Sequence, residues 1–583
     1  MTLRLFAFTS LSILLLCQCA TKHQPIRFPA TFQKYPEDIF SSNTLQECRL
    51  LEIKESPTPF DKKRLMELYL LEAKHLKFGS ERFQTLLEKT ERIRSEIEPL
   101  INENETIKTE LFLEKTESPE EIKNNFVSPN LKKSYSQIYQ LWNKDENERA
   151  LNKVRELVAN TEIEKNSAHA DWLKVLNLYF KITHDVGEVN SITAAYQKIK
   201  DFDSCSPETA NAALLLALTQ FSKKESAKAF EILNSQCDKD DSLSSRTRKT
   251  YWLYRFAKLT DPILSNTKLQ ELKALPLPGY YLYLAQSEKG EGFDIPAFDV
   301  KEVGRYLNDE FSVPSSLNQY LLKAEARLSA GLNKDANLYL AKSVLDLKDN
   351  PEKNLLPLLY IARLYRATGN HLESMKTFSL LIGGKKNPDS QWTPVIHSQF
   401  LEMFPRPYQD KVSWLAKEWN IDEDFIYSIM RQESAFNPGA VSATDARGLM
   451  QMMPSLARSL SQSWRYHPYS TDKVLFQAEE NLKLSTYHLH QLQLLAPHYA
   501  LIAASYNAGL KRTSRWWQKF GDQPLDIFVE FIPVSETRNY VKLVLRNVLY
   551  YKALRTQSSI PANFIPVILP EYHPGRTVSS KKH

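Results

Sequence analysis

The chain has 583 residues, too many for one hydrophobic core and enough for roughly three to five domains. With 42% hydrophobic and 25% charged residues and a mean hydropathy of −0.42, it is neither a disordered chain nor a polytopic membrane protein. The net charge of +6 is concentrated late, with 21 basic against 16 acidic residues from Leu401 onward; that suits an anionic partner for the last third, yet no basic run interleaved with aromatics argues for nucleic acid.

Glycine is scarce, 15 in 583 residues against a usual share of about 7%. Sheets and hairpins lean on glycine-rich turns, so the fold class expected is all-α. The chain opens with Arg4 and an apolar stretch from Leu5 to Leu16, ending in Cys17-Gln18-Cys19. That stretch is shorter than the roughly 20 residues a spanning helix needs and fits an export signal. A cysteine directly after it is similar to a bacterial lipoprotein signal, with Cys19 as the lipidated residue. Gln18 departs from the small residue usual there, and an ordinary cleaved signal over residues 1–19 is the alternative. Cys48, Cys205 and Cys237 follow. Their spacing suits no zinc site, and Cys205 with Cys237 reads either as one bridge or as two buried thiols.

From about residue 40 to 385 the pattern is a train of amphipathic helices. Gly331 with Ala336, and Tyr365 with Gly369 and Phe378, fall at tetratricopeptide-like positions 38 residues apart. Small residues there let two helices of a hairpin approach, and stacked hairpins bury a continuous core. An N-terminal α-superhelix of degenerate helical-hairpin repeats is expected over 20–312, a helical linker domain over 313–404, a further domain over 405–555 and a Pro/Ser-rich tail over 556–583. The tail has no helical period and reads as a strap or a loose end.

Asp422 reads as an N-cap, with Glu423 and Asp424 in the first turn of the helix that follows. These acids lack the glycine and distal glutamate of a calcium loop. Phe425, Ile426, Ile429 and Met430 form one stripe, and the same spacing lands on Glu433 ahead of Asn437-Pro438. A carboxyl aimed along a buried face keeps its proton to higher pH, as a general acid for glycosidic cleavage requires. By periodicity alone, a glutamate ending its helix in solvent, as most glutamates do, is the favoured reading.

Four blocks narrow the choice. They are Arg431-Gln432-Glu433-Ser434-Ala435-Phe436-Asn437-Pro438, then Arg447-Gly448-Leu449-Met450-Gln451-Met452-Met453-Pro454, then Ser505-Tyr506-Asn507-Ala508-Gly509, and Phe531-Ile532-Pro533-Val534-Ser535-Glu536-Thr537-Arg538-Asn539-Tyr540-Val541. With the entry Phe404-Pro405-Arg406-Pro407-Tyr408, this order and spacing resembles the catalytic domain of the soluble lytic murein transglycosylases, over about 404–551. The resemblance implies a goose-lysozyme-like α domain that cleaves MurNAc–β-1,4–GlcNAc bonds of peptidoglycan without water. It makes Glu433 acid and then base, leaves 1,6-anhydro ends and needs no cofactor or metal. It puts Ser442, Gln451, Met453, Tyr506 and Glu536 around that glutamate, with Asn507 and Tyr540 inside the matched blocks and Tyr506 hydrogen-bonded near the carboxyl. Its partners would be glycan strands in the periplasm, with an outer-membrane attachment if Cys19 carries lipid, and other cell-wall enzymes.

The chemistry is consistent with one acid. Glycosidases ordinarily need two carboxyl groups, and within thirty residues after Glu433 the only other is Asp445. A hydroxyl tethered in the substrate can replace an activated water at high effective concentration. Two departures stand out: Leu510-Lys511-Arg512 follows Gly509 where the family has Pro-Gly, and Thr444-Asp445 replaces a small-residue run. His488 and His490, two apart on a helix, face different directions and are poor co-ligands for a metal. One of Trp516 and Trp517 is expected in the core, with Tyr550 and Tyr551 as packing residues. Lysozyme-type hydrolysis on the same fold and an inert cell-wall-binding scaffold are the competing readings.

Overall fold

The computed structural model describes most of residues 126–573, leaving out 295–314, 383–402, 465–471 and several shorter stretches, and a few positions between 65 and 93. The leader with Cys19 lies outside the described residues, as do Cys48 and the last ten positions of the tail. Among the described residues the regular elements are helices, with isolated β-bridges as the sole extended pairing. The all-α expectation holds. The chain divides into two compact units, one made of 116–295 and 406–583, the other of 1–115 and 296–405.

Among the described residues the first unit begins with α1 (Pro129–Asn143), α2 (Asn147–Ala159), α3 (His169–Val186), α4 (Val189–Phe202), α5 (Pro207–Ser222), α6 (Ser226–Asn234), α7 (Leu243–Ala257), α8 (Pro262–Ala274) and α9 (Gly279–Ser287). Their starts are chemically specified. Ser128, Ser206 and Ser242 each accept a hydrogen bond from a backbone N–H three residues on, and Asp261 accepts two. Proline opens α1, α5 and α8, where the missing N–H costs nothing. Each helix packs on the next, the one-dimensional stacking expected of hairpin repeats. Helix α5 buries Ala212 through Leu218 without a break because α3, α4 and α6 flank it, which erases its amphipathic period.

Cys205, in the α4–α5 connection, is disulfide-bonded to Cys237 after α6. The bridge, rather than a pair of buried thiols, is the outcome, and Cys237 is exposed. It spans 32 residues, so opening it restores about 3–4 kcal/mol of unfolded-chain entropy. Cys205→Ser is expected to lower the urea midpoint of this unit, and dithiothreitol should erase the difference from the parent chain.

The second unit contains α10 (Ser315–Ser329), α11 (Asn333–Leu347), α12 (Leu355–Ala367) and α13 (His371–Ile382). Gly331 (φ +75°) and Gly369 (φ +79°) turn the two hairpins in the left-handed region, where a Cβ would be strained. Ala336, Leu340, Leu364 and Phe378 are fully buried, so the sequence spacing reports a real pair of repeats.

The first unit resumes with α14 (Gln409–Trp419), α15 (Glu423–Ser434), α16 (Pro454–Trp464), a short 3₁₀ helix (Asp472–Phe476), α17 (Ala478–Leu495), α18 (Tyr499–Ala508), α19 (Leu510–Phe520), α20 (Leu525–Phe531) and α21 (Ser535–Thr556). Helix α21 is the axis: it packs on α15, α18, α20 and α9, burying Val541, Val544, Leu545, Val548 and Leu549 completely. Residues 558–573 form a strap. Ile560 bridges to Phe293, Leu525 N–H donates to the Val567 carbonyl, and Tyr283 Oη donates to the Ala562 and Ile565 carbonyls. Trp517 is the buried member of its pair and donates Nε1–H to the Pro570 carbonyl. Tyr550 and Tyr551 are core.

Candidate active site

Helix α15 is fixed at its start. The Asp422 side chain accepts the Asp424 N–H at 2.9 Å as N-cap. Asp424, fully buried, is held by Arg406 Nη1 and Arg555 Nη2, each at 2.8 Å. Burial works against that charge, but the Arg555 and Arg406 hydrogen bonds overcome it and keep the carboxyl below its usual range. Phe425, Ile426, Ile429 and Met430 then face the core, and Glu433 follows on the same stripe. The helix stops one residue later, where Ala435 (φ +48°) and Phe436 (φ +68°) turn left-handed.

Glu433 is partly buried, and its Oε1 accepts the Tyr540 hydroxyl at 2.5 Å. Burial pushes its pKa up to about 8; the Tyr540 hydrogen bond opposes this, and the Glu536 charge adds to it. The carboxyl therefore keeps its proton at neutral pH, the state a general acid needs. Tyr506 lies close enough that the Glu433 charge adds to burial in raising its phenol. Its hydroxyl, however, donates to the Met450 carbonyl at 2.8 Å, so the bond to the catalytic candidate comes from Tyr540 and not, as expected, from Tyr506. Asn507 ties α18 to the first turn of α21: its Oδ1 accepts Thr537 Oγ1–H at 2.6 Å and its Nδ2 donates to Glu536 Oε1 at 3.5 Å. Glu536 itself is exposed.

The loop from 435 to 453 has left-handed residues at Asp445, Gly448 and Gln451 as well. Such strain persists only where surrounding bonds over-determine it. The Ser442 hydroxyl accepts the Thr444 and Ala446 N–H groups at 3.2 and 3.0 Å. Gln451 Nε2 donates to the Ala440 and Gly448 carbonyls, and Ser434 Oγ donates to the Leu449 carbonyl at 2.7 Å. Ser442 and Gln451 thus shape the loop, while Met453 is exposed at 37%, free to touch a ligand. Asp445 pairs with Arg447 at 2.9 Å, and the charge that adds to burial at Glu433 is that of Glu536.

Asn481 was not singled out from sequence, yet it organises this loop. Fully buried on α17, it accepts the Met450 N–H through Oδ1 and donates from Nδ2 to the Arg447 and Leu475 carbonyls. The available signal was a polar residue sharing a helical face with Leu484 and Leu492, both buried. Burial lowers His488 to about 4, and His490 Nδ1 meets the Trp419 carbonyl at 3.0 Å.

A family model for the transglycosylase SLT domain matches residues 412–528. The soluble lytic murein transglycosylase of Escherichia coli K12 is 36% identical over 153 residues, 26% of this chain and 24% of its own length. Its counterpart from Salmonella typhimurium is 35% identical over the same span and shares. The chain thus matches about a quarter of the length of these relatives. Over 89% of this chain and 79% of the other, the fold is similar to an X-ray structure of an inactive mutant of lytic transglycosylase Slt from Pseudomonas aeruginosa, with a TM-score of 0.53 and 18% identity. Helix α15, which carries Glu433, lies within the stretch that the transglycosylase SLT model matches, and through that stretch this chain resembles the soluble lytic murein transglycosylases.

Proposed function

We propose that the chain is a peptidoglycan lytic transglycosylase that cleaves MurNAc–β-1,4–GlcNAc bonds and leaves 1,6-anhydro-MurNAc ends. The observation that carries this is one carboxyl, Glu433, which lies inside the SLT match, is pushed up to about 8 and accepts the Tyr540 hydroxyl. Glu433 gives its proton to the glycosidic oxygen as the C1–O bond breaks, and the substrate's acetamido group stabilises the cationic C1. The resulting carboxylate takes the proton of the muramyl C6 hydroxyl as O6 bonds to C1. No water is consumed and Glu433 ends protonated. Ser442, Gln451, Met453, Tyr506, Asn507, Glu536 and Tyr540 are assigned to the substrate's surroundings, with glycan strands as the partner. Export through the leader, a periplasmic place of action, lipid on Cys19 and contact with other cell-wall enzymes belong to the same proposal, as does the domain division at 312, 404 and 555.

Digestion of purified murein tests it: anhydro-muramyl ends are expected, whereas reducing muramic acid ends would mean hydrolysis and binding without turnover a scaffold. Tyr540→Phe removes the hydrogen bond that favours the ionised carboxylate. Glu433 then holds its proton to still higher pH, and the basic limb of the kcat/KM profile should move up by about one unit.

A further inference from the structure

Helix α21 is gripped on two stripes. Glu536 and Tyr540, one turn apart, turn toward Glu433. Ser535, Arg538 and Lys542 lie on a stripe roughly 150° away at 100° per residue, and they meet the hairpin array. Lys181 Nζ of α3 donates to Ser535 Oγ at 3.3 Å. Arg538 Nη2 donates to Asn211 Oδ1 of α5 at 3.1 Å and to Ser535 Oγ at 3.2 Å. Lys542 Nζ donates to both carboxylate oxygens of Glu530 at 3.0 Å.

Glu530, on α20, is 1% exposed and takes its other hydrogen bonds from the array. Arg248 of α7 reaches it with Nε at 3.2 and 3.1 Å and Nη2 at 2.6 Å. Tyr281 of α9 donates at 2.7 Å and Trp252 Nε1 at 3.2 Å. Arg248 also donates twice to Asn211 Oδ1 at 3.1 Å, the atom that Arg538 uses. An apolar joint between layers tolerates sliding and rotation. A buried carboxylate with this many directional donors does not, because each lost bond leaves a desolvated charge.

We infer that Arg248 and Glu530, far from Glu433 in sequence, are positioning residues: they fix the rotation of α21 that brings the Tyr540 hydroxyl onto Glu433. The inference rests on Glu433 being the acid of the proposed reaction. It gives the helical array a part in the chemistry through bonds to the same helix that completes the site.

The test uses the full chain with Arg248→Ala, Arg248→Lys, Lys181→Ala and Tyr540→Phe, measuring kcat, KM and the pH profile on murein. The titratable groups acting on Glu433 are Tyr540 and Glu536 on α21 and Tyr506 on α18, and none of the array changes touches them. Arg248→Ala should lower kcat by roughly 10–100-fold with little change in KM, and shift the basic limb up, as Tyr540→Phe does. Arg248→Lys should recover part of both, and Arg248→Ala with Tyr540→Phe should shift the limb no further than Tyr540→Phe alone. A less stable Arg248→Ala with unchanged kcat and limb would overturn the inference. Should that variant not fold, Lys181→Ala and Arg248→Lys decide, and no shift in either overturns it. Failure of the underlying reading would show elsewhere, as missing anhydro ends in the parent chain or full activity in Glu433→Gln.

Discussion

Glu433→Gln is expected to reduce murein cleavage by a factor of about 10³ or more, because one group serves as acid and then as base and each role is worth about 10²–10⁴. The amide keeps the shape and can still accept the Tyr540 hydroxyl, so the fold should be retained. Stability should move the other way. With its pKa raised from 4.5 to about 8, Glu433 binds more protons folded than unfolded between those values. Its contribution is therefore fully present below about pH 4.5 and lost as pH rises through 8. The glutamine variant lacks this loss, so its advantage in Tm should be absent near pH 4 and grow toward pH 8. Thermal melts across that range, paired with muropeptide analysis, check both halves.

Gly448→Ala carries the second large effect, on the loop rather than the acid. Gly448 sits at φ +77°, and an added Cβ would collide with the Leu475 carbonyl and the Asn481 amide. The first is backbone and the second is committed to Arg447, Met450 and Leu475, so neither can give way cheaply. A loss of about 3 kcal/mol or more is expected, with activity falling alongside it as Met450 and the Tyr506 bond to it shift. Gly439→Ala is the control in the same loop. Its nearest neighbour would be Asn437 Oδ1 at 3.4 Å and its φ is not in the left-handed region, so it should stay within about 1 kcal/mol. Equal damage from both substitutions would contradict this account of the loop.

Local chemistry was readable in advance. The Asp422 cap, the stripe ending at Glu433 and the hairpin turns at Gly331 and Gly369 follow from period and residue type, and each has its counterpart in the fold. Partnerships between distant segments were not. Whether Tyr506 or Tyr540 reaches Glu433 depends on how α18 and α21 cross, which no short-range pattern encodes. No local pattern marks Glu530, since Arg248 and Tyr281 lie about 250–280 residues earlier. Asn481 went unmarked for the same reason, its three partners being supplied by a loop some 30 residues upstream and by the 3₁₀ helix. The tail lacked a period because residues 558–573 pair through carbonyls onto Tyr283, Trp517 and Leu525, with no helix to leave one.

The central claim is that Glu433 keeps its proton at neutral pH. Titration of its side-chain carboxyl carbon by NMR in selectively labelled protein, assigned by loss of the signal in Glu433→Gln, tests it directly. A midpoint near 8 is predicted; a midpoint near 4.5, with the group ionised at pH 7, would contradict the account.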